Sequence, residues 1–425
     1  SNGENKTMGA ESNRNYWLLS GCFFSFFLAW SFSYSLFPLW LNQSVGLKGE
    51  ATGLIFSVNA IAALFIMPCY GYFQDKLGLR KNVLYLVAAL LILCGPFFVY
   101  VYGPLLKTNI ILGAIVGGVY AGMATLAGVG ALETYIERVG RTIGFEWGKA
   151  RMWGSLGWAA ATFCAGFLFN INPDINFWCA SISAMIFIAL LIAVRPGVAN
   201  ASAVGVNSAS NSLKLDDAFA LLRMRKFWAL ATFVMGVSCI YSVYDQQFPI
   251  YFASLFETQE RGNAMFGYLN SFQVFLEAGG MFLAPFLVNK IGAKHGLVLS
   301  GIIMATRMIG SGFADGLIEI SFMKLLHAVE LPIMLVSLFK YIAANFDARL
   351  SATIYLVGFQ FMSQVMASVL SILAGMMYDQ IGFAMSYKIL GGIVAFFVVV
   401  SHFVLSQDTE DISSTEASEQ PHNIG

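Results

Sequence analysis

Three ionisable residues, Lys324, His327 and Glu330, stand at i, i+3 and i+6 inside the apolar run ISFMKLLHAVELPIMLVSLFKYIAANF, residues 320–346. At about 100° per residue this spacing puts them on one arc of a helix. An apolar wall favours the protonated form of a carboxylate and a basic neighbour favours the ionised form. A carboxyl group held between the two can take up and release a proton near neutral pH. His327 also has a plainer reading, as a polar side chain satisfied within a helical protein.

A second constellation is Glu133 with Arg151. Both are nine residues from position 142, the middle of the loop between them, so an antiparallel hairpin sets them at similar depth. Arg151, Ser155 and Trp158 follow at i, i+4 and i+7, on one helical face. A guanidinium that bonds hydroxyls in pairs, beside an indole plate, suits the polar edge and apolar face of a sugar ring. An ion pair near the helix ends with an interfacial Trp fits the same residues. Asn270, Gln273 and Glu277 share a further face. They suit either a lining that exchanges hydrogen bonds with many hydroxyls or bonding between helices. Tyr241 and Asp245, one turn apart, and Arg307 complete the set; Asp245 is a partner for Lys324, and Arg307 or His327 for Glu330.

All of these lie in hydrophobic surroundings. The chain has 425 residues, of which 58% are hydrophobic and 11% charged, against about 25% charged in soluble proteins. Runs of roughly 20 apolar residues are long enough to cross a bilayer as helices. Twelve are predicted: 15–43, 50–74, 81–106, 110–137, 147–170, 174–194, 226–254, 263–288, 295–313, 318–345, 351–377 and 384–405. The fold class is therefore all-α membrane protein, because backbone polar groups in lipid must be satisfied within helices or closed barrels. The alternating pattern of an outer-membrane barrel is absent. A charged side chain at mid-bilayer costs about 2.5–3.5 kcal/mol, so each embedded one needs a purpose.

Residues 1–14 are polar, lack a signal-peptide layout and read as disordered. The small, polar stretch 195–225 reads as a cytoplasmic linker between six-helix bundles at 15–194 and 226–405, and the acidic stretch 406–425 as a disordered tail. Lys and Arg gather in alternate loops, among them Lys76, Arg80, Lys81, Arg138, Lys214, Lys290 and Arg349, which puts both termini in the cytoplasm. The zero net charge gives no reason to expect nucleic acid as a partner. The six cysteines lack metal-type spacing and read as apolar filler.

The halves repeat. TGLIFSVNAIAALFIMPCYGYFQDKLGLRK from Thr52 aligns without a gap to FGYLNSFQVFLEAGGMFLAPFLVNKIGAKH from Phe266, matching Gly53 with Gly267 and Gly78 with Gly292. Parallel six-helix repeats of this kind resemble the major facilitator architecture. GYFQDKLGLRK, Gly71 to Lys81, resembles that superfamily's signature loop. Its Gly71 and Gly78 permit tight turning, Asp75 can pair with nearby bases or cap a helix, and with Arg80 and Lys81 it reads as a gating element.

FEWGKARMWGSLGW (145–158), VYDQQF (243–248), KLLHAVELP (324–332) and LSATIYLVGFQF (350–361) resemble the lactose-permease family of oligosaccharide/proton symporters. The resemblance implies substrate binding by Glu133, Arg151 and Trp158, proton coupling by Tyr241, Arg307, His327 and Glu330, and an Asp245–Lys324 charge pair. Two positions depart from the lactose pattern. A charge pair is replaced by Ser242 and Ser363, and the helix-8 Glu by Val274, with a carboxylate at Glu277 instead, about 4.5 Å further along the helix. SFQVFLE, the serine pair and SVN (57–59) look like the sucrose-permease branch. The expectation is a monomeric, multi-pass transporter of the bacterial inner membrane, not an enzyme, without cofactor or metal. It carries a disaccharide, sucrose first and an α-galactoside or lactose as the alternative, together with a proton. A membrane sugar sensor and a drug/proton antiporter are the rival classes.

Overall fold

The computed structural model describes residues 2–145, 147–196, 215–347 and 350–407. Eleven helices among them are long and apolar enough to cross a membrane, and a twelfth span is bent by 49°. We label them α1 (Gly9–Val45), α2 (Gly49–Leu77), α3 (Asn82–Ile92 and Cys94–Thr108, the bent span), α4 (Ile110–Ile143), α5 (Trp147–Ile171), α6 (Asp174–Ala193), α7 (Arg225–Ser254), α8 (Gln259–Ile291), α9 (Ala293–Phe313), α10 (Leu317–Asn345), α11 (Thr353–Ile381) and α12 (Phe383–Val404). Every expected span has its helix, with ends shifted by a few residues. The bend in α3 falls at Leu93, just before Cys94-Gly95-Pro96, where Pro96 cannot donate to the preceding turn.

Two expectations at the edges change. The first helix extends back to Asn2, so residues 2–14 are helical where disorder was expected. No proline interrupts this stretch, and adding turns to an existing helix is far easier than nucleating one. Within the expected linker, Leu215–Leu221 forms a short helix. Lys214, Arg349, the rest of the linker at 197–214 and the tail from 408 lie outside the described residues.

The chain divides into two compact units that cross the expected halves. Unit 1 contains Ser1–Ser212, Asp245–Phe275 and Ala367–Gly382; unit 2 contains Leu213–Tyr244, Leu276–Met366 and Phe383–Gly425. The boundary runs through α7, α8 and α11 because their remaining parts pack tightly inside unit 1. A Cβ added at Gly53 of α2 would lie 2.3 Å from the Ser371 carbonyl oxygen of α11. One added at Gly267 of α8 would lie 2.6 Å from the Thr162 carbonyl oxygen of α5. The glycines matched in the sequence repeat thus do equivalent work. Each lets the second helix of one half touch the fifth helix of the other, backbone to backbone.

Polar contacts lock the same region of unit 1. The amides of Gln43 and Asn263 bond reciprocally at 2.8 Å. Asp379 of α11 accepts from the Gly49 and Glu50 N–H groups at 2.9 Å each, capping the start of α2 with a carboxylate. Gln247 of α7 donates to the Gly49 carbonyl at 3.0 Å. Within unit 2, α9 packs against α10 and α12.

Loss of an N-terminal cap costs about 1 kcal/mol. Asp379→Ala is therefore expected to lower the Tm of the detergent-purified protein, and Asp379→Asn, which keeps one acceptor oxygen, to lower it less. An unchanged Tm in Asp379→Ala would show that the cap carries no weight.

Candidate functional site

Two of the ionisable residues expected on α10, His327 and Glu330, meet in unit 2. Arg307 and Glu330 are fully buried, and Tyr241 and Lys324 are nearly so. Arg307 Nη1 donates to the Tyr241 hydroxyl, which stands 3.0 Å from His327 Nδ1. The same Nδ1 contacts Glu330 Oε1. On the other side of the ring, Nε2 lies 3.5 Å from Glu277 Oε1. One imidazole therefore stands between two carboxylates, with a tyrosine hydroxyl and an arginine behind it. Glu330 Oε2 has no hydrogen-bond partner among the described residues. A carboxyl in that setting can carry its own proton, or pass one to Nδ1 without heavy atoms moving.

Arg307 is held by aromatic rings. Its guanidinium carbon lies 5.2 Å from the Tyr241 ring and 5.1 Å from the Tyr244 ring. The Tyr244 hydroxyl meets Ser311 Oγ at 2.8 Å, and Ser311 in turn donates to the Arg307 carbonyl.

The backbone of α10 explains how His327 is presented. The helix is interrupted at Leu326, whose carbonyl accepts from both Val329 and Glu330 N–H. Pro332 has no N–H to offer the Ala328 carbonyl four residues before it. Gly280 of α8 comes up against that carbonyl: an added Cβ would lie 2.6 Å from it and 2.9 Å from Pro332 Cγ. This close approach brings Glu277, one turn earlier on α8, within reach of His327. Sequence reading passed over Gly280, although a Gly279-Gly280 pair inside an apolar helix is a signal of close packing.

In unit 1, Arg151 Nε lies 3.6 Å from Glu133 Oε1, as the hairpin argument expects. The guanidinium carbon stands 4.4 Å from the Phe27 ring of α1. Trp147 donates to the Glu133 carbonyl at 3.3 Å. Ser155 is half-buried between Arg151 and Trp158 along α5.

The helix-8 face divides. Asn270 donates to Thr162 Oγ1 at 3.1 Å and Ser271 to the Ala159 carbonyl at 2.8 Å, so both bind α5. Gln273 is buried, and Glu277 turns to His327. The division has a physical cause: Gly267 draws the first part of α8 onto α5, while Gly280 draws its later part onto α10. Asp245 belongs to unit 1 and Lys324 to unit 2. Ser363 Oγ lies 3.9 Å from Cys239 Sγ.

At the signature loop, Asp75 pairs with Arg138 at 2.6 Å, and Arg138 also donates to the Gln74 carbonyl. Arg138 was expected among exposed loop charges but is only 3% exposed, because α4 continues past it to Ile143 and carries it back against α2. Gly71 makes no turn, since α2 runs on to Leu77 and only Gly78, at φ 62°, closes it. Arg80 donates to the Lys76 and Leu77 carbonyls. Lys81 holds the end of α6 through the Leu191 and Val194 carbonyls at 2.7 and 2.5 Å. Burial keeps its ammonium below the usual lysine range, with Cys22 opposing. All six cysteines are free, and no cluster of three or more His, Cys, Asp or Glu suited to a metal occurs among the described residues.

Twelve spans, a parallel repeat and ionisable groups gathered inside them define a multi-pass membrane transporter of major facilitator type. The fold agrees with solved transporters: an inward-open xylose transporter from Escherichia coli aligns with TM-score 0.67 at 14% identity, covering 96% of this chain and 99% of that one. Residues 8–418 match the family described as LacY proton/sugar symporter, and the chain belongs to that family. Relatives include the raffinose permease of Escherichia coli, 43% identical with 93% of both chains covered. The melibiose permease of Enterobacter cloacae subsp. cloacae is 43% identical with 96% of both covered. The sucrose permease of Escherichia coli is 39% identical, covering 94% of this chain and 96% of that one.

Gly280→Val should drive α8 from α10 and lower the initial rate of sugar uptake by roughly tenfold or more, the usual order of loss when packing displaces a functional group by an ångström. A Cβ at neighbouring Gly279 meets nothing within 4 Å, so Gly279→Ala should transport normally. Equal rates in Gly280→Val and wild type would show that the contact is dispensable.

Proposed function

We propose that this sugar/proton symporter imports a disaccharide by alternating access in the bacterial inner membrane, with both termini cytoplasmic. The observation that carries the reading is His327, which meets Glu277 through one ring nitrogen and Glu330 through the other. Glu330 carries the proton, and Arg307, Tyr241 and His327 set how readily it leaves. Glu277 is a substrate-binding residue of unit 2, and Glu133, Arg151, Ser155, Trp158, Asn270 and Gln273 are substrate-binding residues of unit 1. Sugar hydroxyls on Glu277 compete for the carboxylate that His327 faces, so sugar binding alters the imidazole and, through it, the proton on Glu330. Asp245 and Lys324 are the charge pair that the family resemblance implies, and the Gly71, Asp75, Gly78, Arg80 and Lys81 loop works as a gate. The protein acts as a monomer and performs transport, not catalysis.

Sucrose is the first substrate we assign, on the helix-8 carboxylate at Glu277 with Val274 and on the serine pair. An α-galactoside such as melibiose or raffinose is the second reading, favoured by the higher identity to the permeases named for those sugars. Counterflow of labelled sugars in vesicles separates them, and failure to exchange sucrose would overturn the first assignment. Alkalinisation of the medium when sugar is added to de-energised cells distinguishes a symporter from a sensor.

Two substitutions test the division of labour. Glu330→Gln is expected to retain sugar exchange and to lose uphill accumulation; normal accumulation would remove Glu330 from the proton path. Arg151→Ala is expected to abolish sugar binding, whereas retained affinity would leave Arg151 a structural partner of Glu133.

A further inference from the structure

The indole of Trp30 on α1 has no part in the roles assigned so far. Its ring centroid lies 5.3 Å from that of Trp158 on α5, with the two planes at 83°. It also meets Phe27 at 5.4 Å, and Phe27 is the ring 4.4 Å from the Arg151 guanidinium carbon. α1 therefore places Phe27 and Trp30, one turn apart, alongside Arg151 and Trp158 of α5. The Ser31 hydroxyl donates to the Trp158 carbonyl at 2.9 Å and fixes the register of the two helices at this height. Phe26 and Phe27 are buried, whereas Trp30 and Trp158 are each only partly covered. The result is a preformed corner of two indoles, each with apolar surface left open, next to the arginine proposed to bind sugar hydroxyls.

A corner suits a particular shape. The apolar face of one sugar ring can stack on one indole but cannot lie flat on two planes set at right angles. A disaccharide bent at its glycosidic bond presents two rings in different planes. We propose that Trp30 is a specificity-determining residue: Trp158 takes the ring whose hydroxyls reach Arg151 and Glu133, and Trp30 stacks on the second ring. The assignment rests on the disaccharide reading above. It separates Trp30 from Trp158 by what each recognises, so that Trp158 governs binding of any sugar and Trp30 governs binding of two-ring sugars.

The test compares wild type, Trp30→Ala and Trp30→Phe in vesicles. The competing ligands are whichever of the disaccharides sucrose, melibiose and lactose the wild type exchanges, and the monosaccharides that compose it. Loss of one aromatic stacking face corresponds to roughly tenfold in affinity. Trp30→Ala is expected to weaken the disaccharide by that factor and leave monosaccharide competition within about twofold, while Trp30→Phe recovers part of the loss. Retained monosaccharide competition also shows that the variant is folded. Unchanged disaccharide affinity in Trp30→Ala would overturn the proposal. So would an equal loss for monosaccharide and disaccharide, because Trp30 would then merely prop Trp158. A wild type that exchanges none of the three disaccharides would instead overturn the disaccharide reading, and this assignment with it.

Discussion

The constraint on which the structure turns is the cost of an ionisable group in hydrocarbon, several kcal/mol when the group is left without partners. It forces charges to gather. Arg307 is enclosed by two tyrosine rings and hydrogen-bonded to one of them, and Glu330 meets His327. Glu133 and Arg151 stand opposite one another, as do Asp75 and Arg138. The contact with His327 gives Glu330 a partner that a lone buried carboxylate would lack.

Partnering over such distances needs helices that approach closely, and small residues determine where that happens. Gly53 and Gly267 join α2 to α11 and α8 to α5, while Gly280 joins α8 to α10. In lipid there is little hydrophobic gain from helix association, so backbone proximity and interhelical hydrogen bonds carry it. The same helix, α8, is thereby committed to α5 along one stretch and to α10 along another. This split explains why a boundary between the units falls between Phe275 and Leu276, inside α8, in addition to the one in the linker.

The spans and the repeat were legible in the sequence because hydropathy over 20 residues and a gapless internal match are strong signals. Pairing of Glu133 with Arg151 was legible from loop symmetry, and the contact of His327 with Glu330 from their i, i+3 spacing. What escaped was tertiary. Arg138 counted as a loop charge because hydropathy ends α4 near residue 137, whereas the helix runs to Ile143. Residues 2–14 look disordered by composition, but a helix already nucleated by α1 extends through them. The face formed by Asn270, Gln273 and Glu277 is real as helical geometry, yet a shared face does not ensure a shared neighbour along a helix of 33 residues. Trp30 gave no signal at all, since one aromatic among many in α1 becomes distinctive only when Trp158 is seen beside it.

The proposed role of Glu277 lets specificity and coupling vary separately. In the lactose-type pattern the carboxylate sits at the position of Val274. Moving it three residues along α8 rotates it by about 60° and raises it by about 4.5 Å. Under the proposed sugar contact, a hydroxyl that met the carboxylate at the first height would miss it at the second, and the sucrose assignment rests on this. His327 can nevertheless still be reached, at 3.5 Å, because Gly280 brings α8 against α10 one turn beyond the new carboxylate. In the proposed division of roles, substrate choice follows the height of the carboxylate on α8, whereas the link to Glu330 depends only on contact with one ring nitrogen. On that reading, a helix that keeps its glycine can relocate its acid by a turn and alter the sugar while leaving the proposed path of the proton in place.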